Sequence, residues 1–466
     1  MALTPVVLAL NAAGEPVARR IADALDCPLH GREGRTDAAI TFPNALDHAR
    51  DLFAAGHPVV GVCAAGILIR AVAPLLSDKT REPPVISVSD DGAVVVPLLG
   101  GHRGANRLAQ TIAEVLGAAA AVTTAGDVAL NVALDEPPAG YRLANPEDAK
   151  PVMAALLSGG GATVTGEPLF DLPQGNAVEI VVTEAPATGG PTRLVYHPQR
   201  HTLGVGCARD ADPTELWDNV LQVMADAGVA PGAIASVNTL DLKLDEPAMN
   251  ALAARLGCPL RAFTAAELAA IEVPNPSDVV LSEVGTPSVA EAAALAAGGG
   301  TVVAPKRKTA NTTAALARAD APVTDPKGRA RGRVSIVSIG PGQATWRTPE
   351  ASRLIAEADE LVGYSLYIDL LGPVAAGKPR ADFPLGGEEA RCRHALERAG
   401  QGHNVALVCS GDAGIYAMGA LVFELMARDP ADPSALTDPA RRVEIVCTPG
   451  VSALQAAAAR AGAPLG

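Results

Sequence analysis

Aromatic residues make up only 3% of this 466-residue chain. Its cores must therefore be built from Ala, Val, Leu and Ile, a composition that suits parallel sheets covered by Ala-rich helices. The seven cysteines (27, 63, 207, 258, 392, 409 and 447) are dispersed, with no CxxC pair. An odd, scattered set argues against a disulfide framework and fits a reducing cytosol. No window offers the ~20 unbroken apolar residues of a membrane span, and Met1-Ala2-Leu3-Thr4-Pro5 has no basic n-region. The expectation is a cytoplasmic protein with no membrane partner. Positive charge is also in short supply: the formal net charge is -14, which argues against nucleic acid as a partner, since phosphate binding needs a concentrated basic surface.

Apolar residues are plentiful, at 48%, with a mean hydropathy of +0.21. That is enough for sizeable cores, and the length suggests about three domains. EAPATGGPTR (184–193) and DAPVTDPKGRARGR (320–333) combine Pro, Gly and charge without periodicity, the pattern of linkers. With a weaker break near Asp135-Glu136-Pro137-Pro138, the chain divides into a first module (1–134), a middle piece (135–193), a third module (194–319), a linker (320–333) and a last module (334–466). The charge run Lys327, Arg329, Arg331 and Arg333 reads as a solvated linker.

Within modules the pattern is strand, Gly-rich turn, helix. Val94–Leu99 leads to Gly100-Gly101-His102-Arg103-Gly104 and a helix with Leu108, Ile112 and Leu116 on one face. Thr264-x-x-Glu267 and Ser288-x-x-Glu291 read as capping boxes. The last module repeats the unit, with strands ending at Gly340-Pro341-Gly342, Ser410-Gly411-Asp412-Ala413-Gly414 and Thr448-Pro449-Gly450. Right-handed crossovers would gather those three turns on one edge of a parallel sheet. The predicted fold class is therefore α/β and multidomain, with several three-layer α/β units and mostly parallel sheets.

A lone Gly-Pro-Gly is a tight turn and no more. Three glycine turns after three strands are more specific, because glycine lets a ligand approach the main chain and its N–H groups. Neither a GxGxxG fingerprint nor GxxxxGK[ST] is present, which disfavours a nicotinamide-dependent dehydrogenase and a nucleotide triphosphatase. SIGPGQATWRTPEA, GYSLYIDLL, CSGDAGIYAMGALVFEL and VCTPGVSALQAAAARAGAPLG resemble, in order, successive motifs of the tetrapyrrole methyltransferases, and most closely those of the precorrin-3B C(17)-methyltransferases. The resemblance implies S-adenosylmethionine as cofactor. It places Gly340, Pro341 and Gly342 along the substrate-facing trough, Gly411, Asp412, Ile415 and Tyr416 around the cofactor, and Ser452 and Ala453 against it from the next turn. Ala413 stands where many relatives carry proline. That family continues into a second α/β subdomain forming the opposite wall of the cleft, so the resemblance implies a half-open site on this chain alone. Methyltransferases of this class are commonly dimers, which makes a homodimer an expectation.

The front of the chain carries a second resemblance. Residues 64–127 (AAGILIRAVAPLL through AVTTAGD), HTLGVGCARDADPTELW, TLDLKLDEPAMNALAARLG and the segment PNPSDVVLSEVGTPSVAEAAALAAGGG with TVVAPKRKTANTTAALA are similar to the cobalt-precorrin-5A hydrolase family, over residues 1–320. The implied reaction opens a δ-lactone on a contracted tetrapyrrole and expels acetaldehyde, so precorrin intermediates are the expected partners. Lactone opening needs an activated water and a place for the oxyanion. His102 is the candidate base, with the glycine N–H groups of its turn as oxyanion donors. The bland alternative is a turn histidine that holds a substrate carboxylate. Glu283 is a second catalytic candidate, whereas Glu291 reads as the capping partner of Ser288. Gly101, Arg103, Asn106, Lys306 and Lys308 are candidate substrate contacts, the cations pairing with acetate and propionate groups. Cys207 reads as an inert thiol. Pro198 between His197 and His201 argues against a metal-binding helix, and no protein-bound metal is expected. The rival reading is a non-catalytic carrier of corrinoid intermediates with an inert methyltransferase half.

Overall fold

The computed structural model describes residues 3–463 except 80 and 131, and the side chains of 102, 125 and 127 lie outside the description. Four mostly parallel sheets, each flanked by helices, follow one another along the chain.

The first sheet contains β1 (Val6–Ala9), β2 (Leu29–Arg32), β3 (Ile40–Phe42), β4 (Val59–Val62), β5 (Val85–Val88), β6 (Val94–Leu99) and β7 (Ala119–Ala120), in the order β3-β2-β1-β4-β5-β6-β7. Val6, Leu8 and Val59 pack into one apolar layer and Val7, Val60 and Val62 into the other. Burial of both faces is why these strands read as unbroken apolar runs. One pairing is antiparallel, β5 with β6. The turn between them holds Asp91-Gly92, with Gly92 at φ +70°, a residue pair that favours hairpins. The reversal puts the Gly100–Gly104 turn on the edge opposite the carboxyl ends of β1, β4 and β5. Behind β2, His30 Nδ1 lies 2.8 Å from His48 Nε2, and His48 stacks on Phe42.

The middle sheet has β8 (Tyr141–Leu143), β9 (Ala162–Thr165), β10 (Val178–Val182) and β11 (Arg193–Pro198), in the order β8-β11-β10-β9. Residues 184–193 therefore join two adjacent strands of one sheet, and this sheet extends to Pro198.

The third sheet runs β14-β13-β12-β16-β15, from β12 (His201–Cys207), β13 (Ile234–Leu240), β14 (Leu260–Phe263), β15 (Thr301–Lys308) and β16 (Thr312–Arg318). His197 and His201 thus lie on two consecutive strands. Thr264 and Glu267 form the anticipated reciprocal capping box. Ser288 and Glu291 do not. Half of the box is present, since Ser288 Oγ accepts from Glu291 N at 3.4 Å, but the buried Glu291 carboxylate accepts from Asn275 N, Asn275 Nδ2 and Lys306 N at 2.8–3.1 Å. A buried carboxylate needs such donors, and they outcompete the cap.

The fourth sheet is parallel throughout: β17 (Arg333–Ser338), β18 (Glu360–Tyr364), β19 (Arg380–Phe383), β20 (Asn404–Cys409) and β21 (Glu444–Cys447), ordered β19-β18-β20-β17-β21.

The segment 320–333 is not the solvated linker its charges suggest. Val323 N donates to Gln199 O and Lys327 N to Ala297 O, while Arg329 exchanges both main-chain bonds with Ala262 at the free edge of β14. The Arg329 guanidinium donates to Gly400 O at 2.6 Å, and that of Arg331 to Arg442 O and Val443 O. Buried carbonyls at the unit boundary need donors, and these arginines supply them. A second joint lies where the helix Ala45–Ala55 packs on the helix Pro349–Glu357. There the Arg347 side chain, only 3% exposed, lies 4.0 Å from Asp51. Among the described residues no helix is long and apolar enough to cross a membrane.

Candidate functional sites

The carboxyl ends of β17, β20 and β21 gather the three glycine turns in one place, as the crossover argument required. Gly340 and Gly411 exchange main-chain hydrogen bonds, N to O, at 3.2 and 2.8 Å. Gly450 packs so closely that a Cβ there would stand 2.3 Å from Gly411 O, so no other residue fits. Asp412 binds the turns together: Oδ1 accepts from Gly414 N at 2.8 Å and Oδ2 from Gly450 N at 2.9 Å. Beneath them the buried Ser338 hydroxyl donates to Thr448 O at 2.6 Å and accepts from Ala413 N at 2.9 Å, while Thr448 Oγ1 accepts from Ser338 N at 3.0 Å.

Two findings differ from the expectation of free main-chain donors. The N–H groups of Gly340, Gly411, Ala413, Gly414, Ile415 and Gly450 are all donated within the cradle itself. Asp412 accordingly acts as an organiser of the loops. What the cradle does present outward is Ile415, Leu454 and the wholly exposed Tyr416. Tyr416 adopts φ +51°, a left-handed conformation costing a non-glycine residue about 1–2 kcal/mol. Ser452 lies buried as N-cap of the helix Ala453–Ala461 in a reciprocal box with Gln455, and Ala453 opens that helix from an exposed position. Pro341 and Gly342 line the start of the next loop, half-buried. Ser338 and Thr448 escaped the sequence reading: each is an ordinary strand-end hydroxyl residue, and their contact spans 110 positions.

The turn after β6 is built by Gly100 and Gly104 at φ +80° and +86°. A Cβ on Gly100 would stand 2.6 Å from the Pro84 main chain. The His102 side chain lies outside the described residues. Gly104 N is already donated to Glu136 Oε1 at 3.1 Å, and Arg107 pairs with Glu136 Oε2 at 2.7 Å. Glu136 was read as part of a break in the pattern, yet it fastens the middle piece onto the turn. Gly101, Asn106, Arg107, Thr124, Glu136 and Lys150 border a cleft of about 520 Å³ between the first two units. Asn106 Nδ2 donates to Thr124 Oγ1 at 2.7 Å there.

The other candidates are dispersed. Arg103 faces a different cleft, toward the fourth unit. Glu283 is exposed on the short helix Asp278–Val284, and neither it nor Lys306 nor Lys308 borders either cleft. Lys306 Nζ donates to Asn275 O at 3.1 Å, so it braces the loop before the helix Asp278–Val284. Burial pushes the Cys207 thiol up to about 11, which matches the inert reading. Among the described residues no three ligating side chains cluster as a metal site.

Three family profiles match the chain: Cobalamin synthesis G N-terminal over residues 47–127, Cobalamin synthesis G C-terminus over 201–317, and Tetrapyrrole (Corrin/Porphyrin) Methylases over 333–466. The cobalt-precorrin-5A hydrolase of Salmonella typhimurium is 31% identical over 313 residues, which is 61% of this chain and 89% of that protein. The enzyme of the same name from Priestia megaterium is 27% identical over 300 residues, 57% of this chain and 79% of its own length. The probable cobalt-factor III C(17)-methyltransferase of Salmonella typhimurium is 39% identical over 132 residues, 28% of this chain. Of that methyltransferase the chain spans 51%.

Proposed function

Since this chain belongs to the cobalt-precorrin-5A hydrolase family and carries a tetrapyrrole methylase domain behind it, we propose that it serves corrin-ring synthesis with two activities. The front units open the δ-lactone of a precorrin-5A-type intermediate and release acetaldehyde. The fourth unit takes part in S-adenosylmethionine-dependent methylation at C(17) of a precorrin-3B-type ring.

The observation that carries the hydrolase reading is the glycine turn set at the mouth of the 520 Å³ cleft. Hydrolysis requires water to attack the lactone carbonyl, an oxyanion to be held, and the ring oxygen to leave with a proton. His102 belongs to this turn and is the proposed base. Lys150 borders the cleft as a cation for the ring's carboxylates, with Arg107, held by Glu136, and Asn106, bonded to Thr124, beside it. Glu136 holds the turn in place. Nothing in the geometry adds support to Glu283.

The fourth unit's cradle fits a flat ligand lying on main chain, because Gly340, Gly411 and Gly450 leave no side chain in the way. Ile415 and Tyr416 would contact the cofactor's apolar faces and Ser452 and Ala453 its far side. Bound S-adenosylmethionine supplies the methyl group. This chain's residues contribute the floor of the site and its fixed shape, which favours positioning.

The decisive experiment is to supply purified chain with the lactone intermediate and measure acetaldehyde, using wild type and Asn106→Ala. Release by wild type, reduced about tenfold or more by the variant, supports the reading. Tight binding of the coloured ring without release supports the carrier instead.

A further inference from the structure

A cleft of about 1070 Å³ separates the first unit from the fourth. It lies on the amino-terminal edges of both sheets, at Thr4, Pro28 and His57 before β1, β2 and β4, at Pro379 before β19 and at Asn404, the first residue of β20. It is therefore remote from the glycine cradle, which sits at the carboxyl edge of the fourth sheet. Its volume is at the top of the range for small-molecule sites, about 300–1,000 Å³.

The charge is unexpected for a chain of net charge -14. Arg81 and Arg103 stand on one wall, and Arg333, Arg353 and Lys378 on the other, where the Lys378 ammonium is already donated to Ala356 O and Ala358 O at 2.7 and 2.9 Å. Among the described residues three carboxylates face them, those of Asp26, Glu357 and Asp359. Two of these are engaged locally: Glu357 by Arg333 and Arg353 at 2.8 and 2.7 Å, and Asp359 by Asn404 N at 2.8 Å. Arg81 and Arg103 make no ion pair among the described residues. Arg103 Nη1 donates to Arg81 O at 3.3 Å. Two exposed guanidinium groups without carboxylate partners among the described residues are poised for bidentate acceptors.

We propose that this inter-unit cleft is a docking site for a large polycarboxylate ring, held between Arg81 and Arg103 on the first unit and Arg353 on the fourth. The guanidinium groups of Arg81 and Arg103 favour an anionic ligand, and the volume leaves room for a large one. The identification of the ligand as a tetrapyrrole rests on the proposed function; the polyanion chemistry does not. Arg103 adjoins His102, so a ring docked here would lie beside the glycine turn while touching the methylase unit, a position suited to holding an intermediate between the two activities.

The test is fluorescence titration of the full chain with uroporphyrin III, a porphyrin with carboxylate arms around its rim and no lactone. Its binding therefore reports on the cleft and not on hydrolysis, and a failed acetaldehyde assay leaves the result intact. Wild type should bind, with affinity falling as salt rises. Arg81→Gln combined with Arg103→Gln should weaken binding about tenfold or more, and so should Arg353→Glu, whose exposed helical position spares the fold. No binding by wild type, or unchanged affinity in both variants, overturns the proposal. So does a loss confined to Arg107→Gln, which would place the probe in the smaller cleft.

Discussion

Asp412 spends both carboxylate oxygens on main-chain N–H groups, and hydrogen bonds to a charged group are worth about 1.5–3 kcal/mol each. Asp412→Asn turns an amide nitrogen toward one of those N–H groups. Exchange of the Gly414 and Gly450 amide protons should accelerate about tenfold or more, and calorimetric affinity for S-adenosylhomocysteine should fall in parallel. Unchanged exchange would dispose of the organiser role. Gly450→Ala is the steric counterpart, forcing a Cβ against Gly411 O and costing about 1–3 kcal/mol, readable as a lower melting temperature. The motif pointed to both residues but not to what they touch. Asp412 read as a ligand contact, and only the fold shows that the adjacent turn consumes it. The same applies to Ser338 and Thr448, whose pairing depends on strand order.

Between elements, the packing of the helix Ala45–Ala55 on β2 buries His30 and His48 against each other. Burial, aided by nearby His57, pushes His30 down to about 4, and burial with His30 as neighbour pushes His48 to about 3. Both folded values lie below the ordinary 6.5. Their contribution to stability is thus whole above pH 6.5 and is lost as pH falls toward the folded values, because only the unfolded chain takes up the protons. The slope is about 1.4 kcal/mol per pH unit for each proton. Melting temperature should fall from pH 7 to 5, and a His30→Leu/His48→Leu variant should show a flatter profile, though a lower plateau. Equal slopes would contradict this. The elements themselves were largely legible. Both sheet faces of β1 and β4 are covered, giving apolar runs, and Thr264 with Glu267 caps as its spacing required. Only half of the Ser288 box forms, because the interior Glu291 carboxylate answers to Asn275 and Lys306, which sequence spacing does not register. The reversal at β6 went unread: Asp91-Gly92 suits a hairpin, but the strand, turn, helix pattern passed over it, and its consequence, moving the His102 turn to the opposite edge, is a property of the whole sheet.

Across the molecule, two joints set how the fourth unit sits. Burial lowers the Arg347 guanidinium and raises the Asp51 carboxyl, each partly offset by the other's charge. Arg347→Met removes one partner and strands the other, at a cost of about 1–3 kcal/mol for so partly shielded a pair. Scanning calorimetry should then show the fourth unit melting ahead of the rest. A single unaltered transition would mean the joint contributes nothing.

The segment 320–333 has a consequence for how such a gene can evolve. Arg329 meets Ala262 in extended register, Arg331 reaches Arg442 and Val443, and a Cβ on Gly332 would stand 1.8 Å from Ala399 O. In extended chain, neighbouring side chains point opposite ways. Removing a single residue between Pro326 and Arg333 would swap inside for outside, aiming arginines at solvent and leaving carbonyls bare. A flexible tether tolerates any length, whereas this junction behaves like a toothed coupling that engages only at whole, even steps.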